Sequence, residues 1–513
     1  MSVEKAPGLT PLWSGFEYYE HQTIAVKWLL ELENRGYAVG RTTIHGGILA
    51  DDMGLGKTME ICGLLKNNPQ RRTILFAPLA LIQTWTDVCT KANFNVYHYN
   101  QPTKSWLIVG KATSLLMPAV YITNYEKVLR NAAIWKAPWD RIVLDEAHKI
   151  RNRKGMLNYY MRAIKAPFRW AITGTPVVNT LHDIAALFRF CGHPTKTGMW
   201  KPEMWELLPH LMLRRSMEEL RANISGAPPV PEIKRCIVPF KTRAEAEFYR
   251  GIQGSLKSTV RSRGYTADVK NNAYKFTLLL RLRQLSIHPQ VYINAMRRDM
   301  GVKKYLRPDW TAAVSKFEET RELMTTDDQA PHRWLFICNF TDEMSLLRDY
   351  LLEQGLVSDV EIYSGKTSQS DRDAVLARAR TAEMPADGPQ RTALLLQIHA
   401  GGCGLNLQEF DRVVFMSPWW SSALLEQAMC RAVRIGQKAV VKVFHLVLEE
   451  EAEASENIDR LMHLKVEMKR QLAEDVFAAC CGRCTEPPDL TLEERMEAAA
   501  AAVDKQFNDA VEA

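Results

Sequence analysis

The chain has 513 residues, of which 46% are hydrophobic and 24% charged, with a formal net charge of +7. Hydrophobic cores stop growing near ~250–300 residues, so one core is excluded and two units are expected, and the composition excludes general disorder. The mild basicity permits a polyanionic partner without demanding one.

From Met1 to Trp13 no apolar run follows a basic start, so no secretory signal is expected there. No stretch of ~18 apolar residues occurs, so no membrane span is expected. Ten cysteines are scattered, most of them singly in apolar segments such as those around Cys62, Cys89 and Cys338, which suits a reducing compartment. Cys480, Cys481 and Cys484 form the only cluster, and a single Cys-x-x-Cys without a second pair is weak support for zinc.

Along the chain, Gly47-Ile48-Leu49-Ala50 is apolar and leads into Asp51-Asp52-Met53-Gly54-Leu55-Gly56-Lys57-Thr58, after which a helical pattern begins. Apolar runs rich in branched residues follow at Thr73–Ala77, Val120–Thr123, Arg141–Asp145 and Arg169–Thr173, and return at Trp334–Cys338, Val360–Tyr363, Thr392–Gln397, Arg412–Met416 and Val441–Val447. Strands alternating with helices predict parallel sheets covered on both faces, an α/β class. The pattern occurs twice, separated by a stretch from about Ser216 to Asp328 that lacks it. That stretch opens on Ala227-Pro228-Pro229-Val230-Pro231, incompatible with helix. Lys241–Lys275 then reads as one helix with eight Lys/Arg against three Asp/Glu, either a solvated face or a basic protrusion near nucleic acid. Glu449–Val476 reads as a long helix, and a frayed tail without visible chemistry is expected beyond Pro487. The resulting division is 1–215, 216–328, 329–450 and 451–513.

The Asp51–Thr58 loop carries the first chemistry. Gly54 and Gly56 let a backbone approach phosphate without a Cβ clash, and a helix N-terminus behind them favours anions. Lys57 would neutralise the β/γ-phosphates, and Thr58 would offer its hydroxyl to Mg²⁺. Asp51 stands where G-x-x-x-x-G-K-[ST] has its first glycine. About ninety residues on, the apolar run Arg141–Leu144 ends in Asp145-Glu146-Ala147-His148. A carboxylate at a strand's C-terminal end suits Mg²⁺ coordination for Asp145, and Glu146 can polarise an attacking water. Hydrolysis also needs positive charge near the γ-phosphoryl oxygens. The segment Gln427–Gln437 carries Arg431 and Arg434, and on a helix that spacing places both on one face. If they reach the phosphates, the site closes only when two lobes meet, coupling chemistry to motion.

These residues together resemble the superfamily-two helicase-like motors, and among them the Swi/Snf-type remodelling ATPases. The resemblance runs from about Trp13 to Lys465. His21-Gln22 with Val26–Leu29 is similar to the adenine-recognising glutamine motif, with Ala25 where glycine is usual. Asp51–Thr58 resembles the family's phosphate loop, which itself has Asp for the first glycine, and Asp52 stands for the usual Glu. Ala77-Pro78-Leu79 with Trp85, and Thr123-Asn124-Tyr125-Glu126, are similar to segments that touch the DNA backbone. Thr173-Gly174-Thr175-Pro176 with Asn179, Leu213-Arg214-Arg215, and Leu282-Arg283-Gln284 with His288-Pro289 are further landmarks, with Val178 in place of the usual glutamine. Ala400–Leu407 and Pro418-Trp419-Trp420 resemble the fifth motif, and Arg431, Arg434 and Gly436-Gln437 the sixth, whose arginines act as fingers. Ser417 for Asp, Ser421-Ser422 for Asn-Pro, Cys430 for Asp and Val433 for His depart from the pattern.

The resemblance implies two recombinase-like parallel-sheet lobes of P-loop type with a helical insertion, and an ATP- and Mg²⁺-dependent motor that tracks on double-stranded DNA without separating strands. It implies adenine contact by Gln22, phosphate contact along Asp52–Thr58, coupling by His148, Gly174, Thr175 and Gln427, and DNA contact by Pro78, Thr123, Gly401, Gly402 and Trp420. Nucleosomes or other DNA-bound proteins would be its targets, and the nucleus its place. The tryptophan pair and the paired arginines lean towards the branch of the helicase-like transcription factor and post-replication repair translocases. That branch often carries a RING, for which the middle stretch, with Cys236 alone, has no ligands. Compact, virally encoded global-transactivator proteins share the motor-only layout. A strand-separating helicase would share the ATP site but not the Leu213–Arg215 and Leu282–Pro289 landmarks. A non-hydrolysing scaffold is opposed by the intact Lys57, Asp145, Glu146, Arg431 and Arg434.

Overall fold

Every branched apolar run named above becomes a strand in the computed structural model, which describes residues 8–480 apart from 111, 113, 115–116, 130, 196, 225, 263–268, 328–330, 382–390, 401–404 and 449–456. The described residues fall into two compact units. One runs to Ala227 and takes in the last helix from Lys469, and the other runs from Pro228 to Met468. No described helix is long and apolar enough to cross a membrane.

In the first unit, β1 (Tyr37–Val39) and β2 (Thr42–Ile44) form a small antiparallel hairpin. The main sheet consists of β3 (Gly46–Leu49), β4 (Arg72–Phe76), β5 (Asn95–Asn100), β6 (Ser105–Gly110), β7 (Ala119–Thr123), β8 (Arg141–Asp145), β9 (Phe168–Ile172) and β10 (Met212–Leu213), in the order β10-β3-β9-β8-β4-β7-β5-β6. All its neighbours are parallel except β5 and β6, an edge hairpin absent from the sequence reading. Half-exposed strands escape a search for apolar runs: Leu107, Ile108 and Val109 of β6 all face solvent in part. Parallel alignment sends the C-terminal ends of β3, β9, β8, β4, β7 and β10 to one edge of the sheet, where α/β proteins place their ligands.

The second unit has a six-stranded, all-parallel sheet of β11 (Glu232–Val238), β12 (His332–Cys338), β13 (Asp359–Tyr363), β14 (Arg391–Gln397), β15 (Arg412–Phe415) and β16 (Lys442–Leu448), ordered β11-β16-β15-β12-β14-β13. Period-two alternation feeds two cores. Trp334 and Phe336 of β12 and Leu395 of β14 pack on one face, while Leu335, Ile337, Leu394 and Leu396 pack on the other. Each such fully buried side chain stabilises the unit by about 1.5–3 kcal/mol.

β11 corrects the expectation that residues 216–328 lack strands. It pairs with β16 from Glu232↔Lys442 to Val238↔Leu448, an edge position where most of its side chains, charged ones included, reach water. The helix expected over Lys241–Lys275 is two helices, Arg243–Ser262 and Val269–Ile287, with 263–268 between them outside the described residues. The last helix is Ile458–Cys480, while Cys481, Cys484 and the tail lie outside the described residues.

A buried ion pair fastens the start of that helix to the second sheet. Asp459 accepts from Lys316 Nζ at 2.5 Å, Ser286 Oγ at 2.9 Å and the Leu448 amide at 3.1 Å, and both charged side chains are shut off from solvent. Asp459→Ala leaves an uncompensated buried ammonium and should lower stability by about 3–5 kcal/mol, read from denaturant unfolding. A loss below about 1 kcal/mol would contradict this role.

Candidate nucleotide-binding site

β3 ends at Leu49 and the chain turns through Asp51–Gly56 into the helix Lys57–Asn67. Gly54 and Gly56 have φ of +87° and +90°, values that L side chains avoid. At Gly56 a Cβ would also stand 2.4 Å from Gln22 Nε2. The loop thereby presents Lys57 and Thr58 in the first helical turn, while the Met59 and Glu60 amides of that turn already donate to the Gly56 carbonyl at 2.7 and 3.2 Å. Lys57 Nζ rests on the carbonyls of Asp51 at 2.6 Å and Asp52 at 3.0 Å.

The loop is gripped from two sides. Gln22 Nε2 donates to the Leu55 carbonyl at 3.2 Å, Gln22 Oε1 accepts from the Tyr19 amide, and the His21 ring lies 2.9 Å from the same Leu55 carbonyl. On the other side, β10 extends alongside β3, with Ala50 and Asp52 amides donating to the Leu213 and Arg215 carbonyls. This register sets Arg215 opposite Asp51. The guanidinium binds both oxygens of the buried Asp51 carboxylate, the His21 carbonyl and Glu60 Oε1 at 3.1 Å. Arg214 binds the Asp52 carboxylate and the Ala50 carbonyl, and the Met217 amide also donates to Asp52 at 2.7 Å. Both acids of the loop are therefore occupied by Arg214 and Arg215, and Lys57 and Thr58 are the side chains at the start of the helix that could meet a phosphate.

Asp51, Glu60 and Arg215 form a group of two carboxyls and one cation in a dry site. Burial, then the charge of Asp51, pushes Glu60 well above the usual carboxylate range. That direction favours the protonated form of Glu60, with Arg215 left to offset the Asp51 carboxylate. The sequence signal for this clamp was the acidic pair Asp51-Asp52 matched by the basic pair Arg214-Arg215.

Two strands from β3, the end of β8 supplies Asp145. Its Oδ2 accepts from Trp85 Nε1 at 2.7 Å and its Oδ1 from the Glu146 amide at 2.9 Å, while Tyr125 Oη donates to its carbonyl at 2.5 Å. Burial, then the neighbouring Glu146 charge, lifts its carboxyl to about 6. Trp85 departs from its expected place on a DNA-contacting surface: it is fully buried and anchors this carboxylate. No sequence spacing links residues 85 and 145, so periodicity could not find the contact. Glu146 adopts φ 52°, ψ 50°, a left-handed conformation that costs a non-glycine residue about 1–3 kcal/mol and concentrates at functional sites. Its Oε2 lies 3.3 Å from His148 Nδ1, which is 3.2 Å from Thr173 Oγ1, and that hydroxyl accepts the Thr175 amide at 3.1 Å. Glu146, His148 and the buried Gly174-Thr175 segment at the end of β9 thus form one chain of contacts.

The other expected residues separate. Pro78 is half-buried just beyond β4, and Thr123 is fully buried at the end of β7. In the second unit, Gln427 is buried in the helix Ser422–Met429 and Trp420 is half-buried against the core. Gly401 and Gly402 lie outside the described residues. Arg431 and Arg434 are not on a helix: it ends at Met429, and the chain continues in turns, with the Arg431 carbonyl captured by the Leu407 amide at 3.0 Å. One-face geometry at spacing three therefore does not apply to this pair.

Glu60→Gln should change stability by less than about 0.5 kcal/mol, because Gln resembles the protonated acid, whereas Arg215→Met strands the buried Asp51 and should cost about 3–5 kcal/mol. Denaturant unfolding compares the two, and equal costs would refute the assigned protonation.

An SNF2-related domain matches residues 21–201, from Gln22 and its neighbour through the phosphate loop and Asp145 to Thr175. A helicase conserved C-terminal domain matches residues 315–436, including Arg431 and Arg434. The chain is 27% identical over 482 residues to the "Probable global transactivator" of Orgyia pseudotsugata multicapsid polyhedrosis virus, covering 89% of this chain and 91% of that one. It is 26% identical over 469 residues to the SWI/SNF-related matrix-associated actin-dependent regulator of chromatin subfamily A member 1 of Mus musculus, covering 85% of this chain but 41% of that longer protein. The Sulfolobus solfataricus SWI2/SNF2 ATPase core solved in complex with dsDNA shares 19% identity over 91% of this chain and 96% of that one, at a TM-score of 0.38. With the phosphate loop and the Asp145-Glu146 strand end on one sheet edge and both domains present, the chain belongs to the Swi/Snf-type family of helicase-like, DNA-dependent ATPases.

Proposed function

We propose that the protein hydrolyses ATP to track along double-stranded DNA and to displace or remodel proteins bound there. The supporting observation is the delivery of a phosphate loop and a carboxylate pair to one sheet edge, with Glu146 tied through His148 to the β9 end that carries Gly174-Thr175. That contact chain offers a route from nucleotide state to a nucleic-acid surface. The likeness to a regulator of chromatin supports DNA-bound protein as the target.

In this reading Lys57 and the loop amides hold the phosphates. The Thr58 hydroxyl and Asp145 carboxylate are hard oxygen donors that leave positions for phosphate and water oxygens, the environment Mg²⁺ prefers. When bound, the ion would neutralise charge on the β- and γ-phosphoryl oxygens. Glu146 orients the attacking water, Gln22 meets the adenine edge, and Arg431 and Arg434 offset charge that develops on the γ-phosphoryl group. Of Asp52–Leu55, the Asp52 amide is held by the Arg215 carbonyl and the Leu55 amide by the Asp52 carbonyl, so Met53 and Gly54 are assigned the backbone contacts to the phosphates. Pro78, Trp420 and the Gly401-Gly402 backbone are assigned to DNA, contacts that carry little sequence information. Binding should accordingly tolerate any duplex sequence and weaken with salt. Nuclear residence and the repair-translocase branch are extensions of the same resemblance.

Glu146→Gln should retain ATP binding and lose at least about 100-fold in turnover, since a positioned base contributes 10²–10⁴-fold. Unchanged turnover would remove Glu146 from its role. Trp85→Phe deletes the N–H donor to Asp145 and should raise the Mg²⁺ concentration needed for nucleotide binding several-fold with the fold intact. An unchanged Mg²⁺ requirement would contradict the anchoring role. Tracking itself is tested by dislodging a third strand from a triplex on duplex DNA. ATP-dependent release, absent with Glu146→Gln, is the expected result, while separation of duplex strands instead would favour a helicase.

A further inference from the structure

Arg283, in the helix Val269–Ile287 of the second unit, is 4% exposed, yet its Nε and Nη2 have no hydrogen-bond partner among the described residues. Its guanidinium lies 4.3 Å from the Trp419 ring centroid, 5.6 Å from that of Phe340 and 5.9 Å from that of Trp420. Two carboxyls lie near enough to favour its charge, but neither Nε nor Nη2 forms a hydrogen bond with them. Asp459 is already paired with Lys316. Glu343 spends Oε2 on the Asn339 and Phe340 amides, and burial lifts it to about 7. His399, edge-on to Trp419 at 4.8 Å, adds no negative charge. Ser417, two residues before Trp419 and hydrogen-bonded to Asn339, stands where the resembled family has aspartate.

A desolvated cation with unmet donors costs the fold stability unless something else supplies an anion. The positive charge of the guanidinium excludes a metal ion as its complement and calls for an anion. A cation flanked by half-exposed tryptophans is the arrangement that nucleic-acid backbones favour, with charge for the phosphate and aromatic faces beside it. We propose that Arg283, caged by Phe340, Trp419 and Trp420, is an anion site that takes a backbone phosphate of duplex DNA. This rests on the duplex-tracking reading above, and extends it to a residue outside the motifs assigned there to DNA.

The test is anisotropy of a fluorescent 30-base-pair duplex with the full chain and its Arg283→Met variant, across a salt series, alongside thermal melting and ATP affinity without DNA. The site predicts about tenfold weaker duplex binding at 0.1 M salt, and a slope of log affinity against log salt shallower by about 0.9, the signature of one lost phosphate contact. It also predicts a melting temperature that is unchanged or higher, because an apolar side chain replaces an unpaired buried cation. Undiminished duplex binding with a lower melting temperature would make Arg283 a packing residue and overturn the proposal. Weakened ATP affinity with intact duplex binding would assign the site to nucleotide phosphate and overturn it too. Should Arg283→Met not fold, Ser417→Asp adds a carboxylate two residues before Trp419, where the resembled family carries one. It should weaken duplex binding while raising the melting temperature, and unaltered duplex binding would again overturn the proposal. Absence of duplex binding by the unmodified protein would remove the tracking reading and this site with it, an outcome separate from loss specific to the variants.

Discussion

The contact between Arg215 and Asp51 sets the conditions for the nucleotide site. Asp51 sits in the first position of the phosphate loop, where glycine would be the simpler choice, and it is fully buried. A carboxylate there is tolerable only with a cation at hydrogen-bonding distance, and the parallel register of β10 against β3 brings one to it. The same guanidinium holds the His21 carbonyl, so the loop, the glutamine-motif helix and the last strand of the sheet are tied at one point. Leu55 is gripped from the other side by His21 and Gln22. The backbone of the proposed phosphate loop is therefore fixed by protein contacts, so that, on the proposed reading, little reorganisation would remain for a nucleotide to drive.

The neighbouring strand end follows the same logic with the opposite sign. Asp145 is desolvated enough to lift its carboxyl to about 6, and the Trp85 indole and Glu146 amide oppose that lift. A carboxylate balanced this way gains from an arriving cation. The left-handed Glu146 aims its side chain towards His148 and so towards Thr173 and Thr175, linking the carboxylate proposed to orient water to the adjacent strand. The second unit treats its buried charges in two ways. Lys316 and Asp459 are matched and structural, while Arg283 is left unmatched beside a tryptophan pair.

Much of this was legible in the residues. β-branched runs at Thr73–Ala77, Arg141–Asp145 and Trp334–Cys338 carry both faces of a buried parallel strand and so read without ambiguity. Asp51–Thr58 and Asp145–His148 point by their local order to a loop and a strand end, which the sheet brings to one edge. What escaped notice depends on contacts between distant segments or on half-exposed positions. β11 is an edge strand whose Lys234 and Arg235 disguise it, and β6 exposes its apolar side chains. The partnership of Trp85 with Asp145 and that of Arg283 with Trp419 arise only when strands and helices are assembled. The arginines of Gln427–Gln437 were read as helical because nothing in their spacing reveals that the chain turns at Cys430 to meet Leu407.

The central claim is that a nucleotide site built this way is driven by duplex DNA. Steady-state ATP hydrolysis by the purified chain, alone and with duplex DNA, single-stranded DNA or RNA, tests it most directly. The account predicts low turnover alone and strong stimulation by duplex only. Stimulation by single strands or RNA in place of duplex, or no hydrolysis by folded protein under any of these conditions, would contradict it.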